Sequence, residues 1–195
     1  MPVGSSKFGL MAAAGGGDDD HFVLLDEVTV SGSAATISIT SAGSDDAWSN
    51  YKSLLVYATL RNDQGYDLCW RFGSYSSGYS WTRADSTASS IYAGNYTGWE
   101  ARSDGIITNS SGWWGAFRLL LVNHNDGGTA AVGWNMQGVN PYSGGYGGRY
   151  NRGFGNWTGS SAITEIHLIS GQNNPATDTF DVGSHAQVFG LKEAD

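Results

Sequence analysis

Short runs in which apolar and polar residues alternate recur along this chain. The clearest is Tyr66, Leu68, Trp70 and Phe72, which alternate with Asp67, Cys69, Arg71 and Gly73. A period of two sends successive side chains to opposite faces of a strand. Ala35, Ile37 and Ile39 alternate in the same way with Thr36, Ser38 and Thr40. Residues 22–30, 54–61, 116–122, 129–137, 163–170, 180–182 and 187–191 read as further strands. Asn62-Asp63-Gln64-Gly65 predicts a hairpin between 54–61 and the Tyr66–Phe72 run. The segment 123–128, with Asp-Gly at its tip, predicts a second hairpin, with Val132, Trp134 and Met136 on one face of its return strand. Residues 45–53 predict one helical turn with an Asp cap and with Trp48 and Tyr51 on one side.

Two stretches lack this alternation. Residues 74–115 hold Tyr75, Tyr79, Trp81, Tyr92, Tyr96, Trp99, Trp113 and Trp114 among Ser and Gly, and read as an irregular connection with a strand around Ile106 and Ile107. Residues 143–157, SGGYGGRYNRGFGNW, read as an exposed connection before the Ile163 strand. The expectation is an all-β fold: a jelly-roll-like β-sandwich of about eight antiparallel strands with long Gly/aromatic loops. It occupies residues 21–195, behind an extended N-terminal arm over 1–20. No repeat with a period of about 20–50 residues is seen, which argues against a propeller or solenoid.

Composition sharpens this picture. Glycine, at 29 of 195 residues, is about twice as frequent as usual, and only 14% of residues are charged. Helix-rich compositions look different, so the all-β reading gains weight. The net charge of −8 and ten scattered Lys and Arg residues make nucleic acid an unsuitable partner. No apolar run approaches the roughly 20 residues that span a bilayer, so no membrane partner is expected. Phe8 to Ala14 sits at the short end for a signal peptide, and the chain reads as non-secreted. Cys69 is the only cysteine, which leaves no intrachain disulfide framework.

The chain carries no G-x-S-x-G elbow, no H-E-x-x-H helix and no phosphate-binding loop. His21, His124, His167 and His185 have no His or Cys at ligand spacing and read as surface or edge histidines. Cys69 has no His neighbour in sequence to activate it. Glu27, Glu100 and Glu165 are the glutamates that a glycosidase pair would draw on, but nothing in their spacing selects them. Asp18-Asp19-Asp20 lacks the spaced oxygens of a calcium loop and reads as a solvated hinge. Asn95, Asn109 and Asn156 match N-x-[ST] and would matter only in a eukaryotic secretory pathway. The reading is therefore non-enzymatic, with no cofactor and no metal.

Aromatic and arginine side chains remain, and these dominate contact surfaces. The candidates for partner binding are Phe8, Leu10 and Met11 in the arm, and Tyr142, Tyr146, Arg149, Tyr150, Arg152, Phe154 and Trp157 in the glycine-rich stretch. Contact with another protein subunit is preferred over a glycan. The arm is expected to be held by a neighbouring subunit.

The order of several short motifs resembles a domain common in virion proteins of tailed bacteriophages. Trp48-x-x-Tyr51-x-x-Leu54 leads into a strand, and Leu68-Cys69-Trp70-Arg71-Phe72 follows. Ile163-Thr164-Glu165-Ile166-His167-Leu168, then Phe180 with Gly183-Ser184, then Val188-Phe189-Gly190-Leu191-Lys192 complete the series. Val188-Phe189 stands where the family usually has Leu-Tyr. The resemblance covers Trp48 to Lys192. It implies a jelly-roll structural protein of the virion, assembled in the bacterial host cytoplasm. Its motif residues are implied to be core and strand-end positions. The implied partners are the major capsid protein or neighbouring subunits, with a homo-oligomer, a trimer among the options. Capsid decoration or cement is the preferred role. A tail or fibre component that binds a host surface glycan is the alternative.

Overall fold

In the computed structural model the described residues are 22–43, 47–62, 68–74, 77–87, 90–98, 101–103, 114–125, 128–140, 147–171 and 179–192. They form an all-β structure of two antiparallel sheets stacked as a β-sandwich. The strands are β1 (Phe22–Thr29), β2 (Thr36–Thr40), β3 (Ser53–Leu60), β4 (Leu68–Phe72), β5 (Tyr79–Thr87) and β6 (Ser90–Gly98). They continue with β7 (Ala101–Ser103), β8 (Gly115–Val122), β9 (Thr129–Asn140), β10 (Gly147–Thr158), β11 (Glu165–Ser170) and β12 (His185–Leu191). The larger sheet has the order β1-β12-β3-β8-β9-β10-β5-β6, and the smaller one the order β2-β11-β4-β7.

The core lies between the sheets. Ile37, Ile39, Leu68, Trp70, Phe72, Ile166 and Leu168 of the smaller sheet meet Leu54, Val56, Phe117, Leu119, Leu121, Val132, Trp134 and Val188 of the larger. The period-two runs at 35–40 and 68–72 do form strands. The first buries Ile37 and Ile39 and exposes Ser38 between them. Cys69 is buried too, although it lies on the strand face opposite Trp70.

Several sequence expectations need correction. Residues 54–61 and 66–72 do not form a hairpin. β3 lies between β12 and β8, whereas β4 lies between β11 and β7 in the other sheet. Two strands with apolar inner faces can pair edge to edge or face each other across a core, and alternation cannot tell these apart. The 74–115 connection contains β5, β6 and β7, while Ile106 and Ile107 lie outside the described residues. Residues 147–158 are no loop but a strand, hydrogen-bonded to β9 on one side and to β5 on the other. The expected 180–182 strand is reduced to two isolated bridges at Phe180, one to Ala34 and one to Asn62.

The helical turn is a short 3-10 turn over Trp48–Asn50. Ala47 precedes it without a side-chain cap, and the Trp48 N–H instead donates to the Ser41 hydroxyl at 3.2 Å. His124 is not a surface residue. It is buried, and its Nε2 donates to the Trp48 carbonyl at 3.0 Å, tying the β8–β9 turn to this 3-10 turn.

The residues of the family-like motifs sit where the fold turns or packs. Trp48, Tyr51, Leu54, Phe72, Ile163, Ile166, Leu168 and Phe180 are all buried. Gly190 lies against the Tyr51 ring, leaving no room there for a Cβ. Gly183 has φ +89°, a conformation that costs little only for glycine. Next to it, the buried Ser184 hydroxyl accepts from the Arg61 N–H at 3.1 Å and donates to the Arg61 carbonyl at 3.0 Å. Ser184→Ala would take the hydroxyl acceptor from the Arg61 N–H, while the Arg61 carbonyl keeps the Asp181 N–H at 2.8 Å. An expected loss of about 1–3 kcal/mol would appear as an earlier midpoint in urea unfolding with an unchanged slope.

Candidate functional site

The outer face of the larger sheet holds the candidate site. Its central strands pair in direct register, so residues line up in rows across the sheet. One row runs Leu24, Phe189, Leu55, Leu120, Gly133, Phe154, Thr82, Asn95, from β1 to β6. The next runs Glu27, Gln187, Tyr57, Arg118, Asn135, Arg152, Ala84, Ala93. Leu24, Tyr57 and Phe154 are exposed large apolar side chains, and Phe154 is the most open at 68%. Tyr57 packs edge-on against Phe189, with ring centroids 6.1 Å apart.

Where these rows cross β8, β9, β10 and β5, the sheet surface forms a groove of about 460 Å³. Gly133 and Ala84 are small floor positions, and Tyr150, Phe154, Leu120, Arg118 and Arg152 rise around them. A Cβ on Gly133 would meet nothing within 4 Å, so the floor is open space rather than packed chain. Asn135 sits directly between Arg118 and Arg152 in the cross-strand register. None of the described lining residues is acidic. The Arg118 guanidinium lies over the Tyr57 ring, 5.6 Å from its centre, which fixes where that charge points.

Strand β10 explains how one segment serves both faces. Tyr150, Arg152, Phe154 and Asn156 point outward, while Asn151, Gly153, Gly155 and Trp157 point toward the core. The inward glycines make room for their neighbours: the Trp134 indole lies across Gly153, and the Ser80 carbonyl with the Cα and Cβ of Trp81 lies against Gly155. Trp134 also donates its indole N–H to Asn151 Oδ1 at 3.2 Å. Below them Trp70 and Phe72 of the smaller sheet pack on Trp134, Tyr79 and Trp157, with ring centroids 5.3–6.3 Å apart. The groove thus rests on an aromatic layer that joins the two sheets.

Of the sequence-predicted site residues, Tyr150, Arg152 and Phe154 come together in the groove. Trp157 does not join them. It is 2% exposed and belongs to the core, because it falls on the inward phase of β10. Arg149 lies in β10. Phe8, Leu10, Met11, Tyr142 and Tyr146 lie outside the described residues. Arg118, Leu120, Asn135, Gly133, Thr82 and Ala84 were not singled out by sequence. Arg118 and Leu120 were within reach, as the outward phase of an evident apolar strand.

His167 Nε2 approaches Glu165 Oε1 to 2.7 Å on the smaller sheet, with Arg71 in register beside it. Among the described residues no group of three or more His, Cys, Asp or Glu side chains is placed to hold a metal ion. No helix is long and apolar enough to cross a membrane among those residues. No protein-family model, curated protein or solved structure matches this chain.

Proposed function

We propose that this protein is a non-enzymatic structural subunit of a bacteriophage virion, built on a jelly roll and acting by contact with other virion proteins. The strand order carries this reading. Eight strands form the frame β1-β12-β3-β8 facing β2-β11-β4-β7, in which the first strand pairs with the last and successive strands swap sheets at every step except from β4 to β7, which pair with each other. That arrangement supports a jelly roll of two interleaved Greek keys. The virion-like motifs fall on its buried positions, such as Trp48, Phe72, Ile166 and Phe180. The remaining strands, β5, β6, β9 and β10, extend the larger sheet beyond β8 and carry much of its exposed outer face.

Capsid decoration is the preferred role, with residues 1–20 as the anchor and neighbouring subunits or the major capsid protein as partners. Quantitative mass spectrometry of purified particles tests it. Hundreds of copies per particle are expected for a shell-covering protein. No copies would remove the virion reading, and a few tens would move the protein to the tail or fibres. Deleting residues 1–20 is expected to abolish particle attachment while leaving the thermal unfolding midpoint unchanged. Attachment that survives the deletion puts the anchor elsewhere.

The groove favours a second reading, a receptor-binding module on a tail or head fibre. An exposed phenylalanine and a tyrosine flanking an arginine on an open sheet face suit recognition of a surface ligand.

A further inference from the structure

We propose that the groove on β8, β9, β10 and β5 is a binding site for an acidic saccharide, a sugar chain carrying carboxylate groups. The inference rests on the receptor-binding reading, and it does not require the protein to occupy any particular place on a particle.

Charge is the first argument. The chain carries a net charge of −8, yet the described lining of this groove contains Arg118 and Arg152 and no acidic residue. Neither arginine has a carboxylate partner among the described residues. Arg118 on β8 and Arg152 on β10, with Asn135 on β9 between them, are about 10 Å apart at their backbones, and the Arg118 guanidinium lies over the Tyr57 ring. They concentrate positive charge in one patch of an otherwise acidic molecule. A guanidinium fork matches the two oxygens of a carboxylate.

Shape is the second. Tyr150 and Phe154 are four residues apart on one strand, hence roughly 13 Å apart, with Arg152 midway between them. A sugar ring has an apolar face that stacks on an aromatic side chain and a rim of hydroxyls. Asn135 and Thr82 offer the groove an amide and a hydroxyl for that rim. The groove therefore has flat apolar contacts at its two ends, and cations and neutral polar groups between.

Backbone pairing is the third, and it decides between a sugar and a peptide. The floor is formed by β9 and β10, interior strands paired on both sides. Their N–H and C=O groups are committed to the ladders. An extended peptide gains affinity by adding to a free sheet edge. Here it would find side chains only, and its own amides would lose water without gaining partners.

Isothermal titration of the full chain tests this. The probes are a polygalacturonate oligosaccharide and 3′-sialyllactose, with maltohexaose and lactose as the neutral counterparts and oligoglutamate as the peptide anion. Binding of at least one acidic sugar is expected, weakening as salt rises, with the neutral sugars and the peptide weaker by about tenfold or more. Arg152→Gln and Arg118→Gln are each expected to lower affinity by about ten- to a hundredfold. Gly133→Val fills the floor where no atom stands within 4 Å, so it should abolish binding with the unfolding midpoint kept or raised. Arg71→Gln, on the other sheet, should leave binding unchanged. No binding of either acidic sugar at millimolar concentration overturns the proposal. So does equal binding of the neutral sugars, stronger binding of oligoglutamate, or full affinity in Gly133→Val. Particle copy number is measured separately, so either reading can fail without the other.

Discussion

Trp157→Ala is expected to destabilise the fold by about 3–5 kcal/mol, the usual cost of emptying a buried tryptophan site. For a domain of this size that lowers the thermal midpoint by about 6–20 °C. The indole is almost fully buried, stands edge-on to Phe72 at 5.5 Å, and donates its N–H to the Ser77 carbonyl at 3.2 Å. Gly159 closes against its ring and has no side chain of its own to fill the space. Phe154→Ala, three residues earlier on the same strand, removes an outward ring and should change stability by less than about 0.5 kcal/mol. Thermal unfolding of the two variants side by side checks the inward and outward phases of β10. If both lose the same stability, the phase is wrong, and so is the groove that depends on it.

Gly155→Ala should be nearly as damaging, although it adds a single methyl group. That methyl would run into the Ser80 carbonyl oxygen and come within 2.8 Å of the Trp81 Cα. These are atoms of the paired strand β5, held in ladder hydrogen bonds, and they cannot rotate away as a side chain could. An expected loss of about 3 kcal/mol or more would show in chemical denaturation. Amide exchange should quicken along β5 and β10 before it does in β3 and β12. Gly133→Ala provides the contrast. It lies on β9 with open space above it, and relief of the glycine entropy cost should stabilise it by about 0.5–1 kcal/mol. Equal effects from the two glycines would mean that β5 is not packed on β10 as described.

These two residues also show which parts of the fold the sequence reveals. Strands that border the core frame announce themselves: Ile37 and Ile39, or Leu119 and Leu121, alternate cleanly because their inner faces meet apolar side chains. Strand β10 hides. Its inward positions are Asn151, Gly153, Gly155 and Trp157, and the two glycines are there because the Trp134 indole of β9 and the Ser80–Trp81 main chain of β5 occupy the space their side chains would need. The apolar half of the pattern has moved to the neighbouring strands, so a period-two test on β10 alone returns nothing. Glycine and polar richness then looks like loop, and 147–158 is misread for that reason. Sheet membership was equally out of reach for β3 and β4, whose facing apolar sides suit a hairpin and a sandwich alike. The site was half legible. Tyr150, Arg152 and Phe154 stand out as contact-forming residues, but Arg118 and Asn135 join them only through the register of β8, β9 and β10.

The pairing of β1 with β12 governs how the protein is made. Phe22 meets Leu191, so the first strand waits for nearly the whole chain before it has a neighbour. At about 5–20 residues per second, that wait on the ribosome is roughly ten to thirty seconds. Throughout it, β1 and β3 both show edges that only β12 can cover, since β12 lies between them. Long-range closure of this kind is slow and vulnerable to wrong pairing between nascent chains. Soluble yield in a recombinant host should therefore depend on synthesis rate and temperature more than on the final stability of the sandwich, with slow, cool expression favoured.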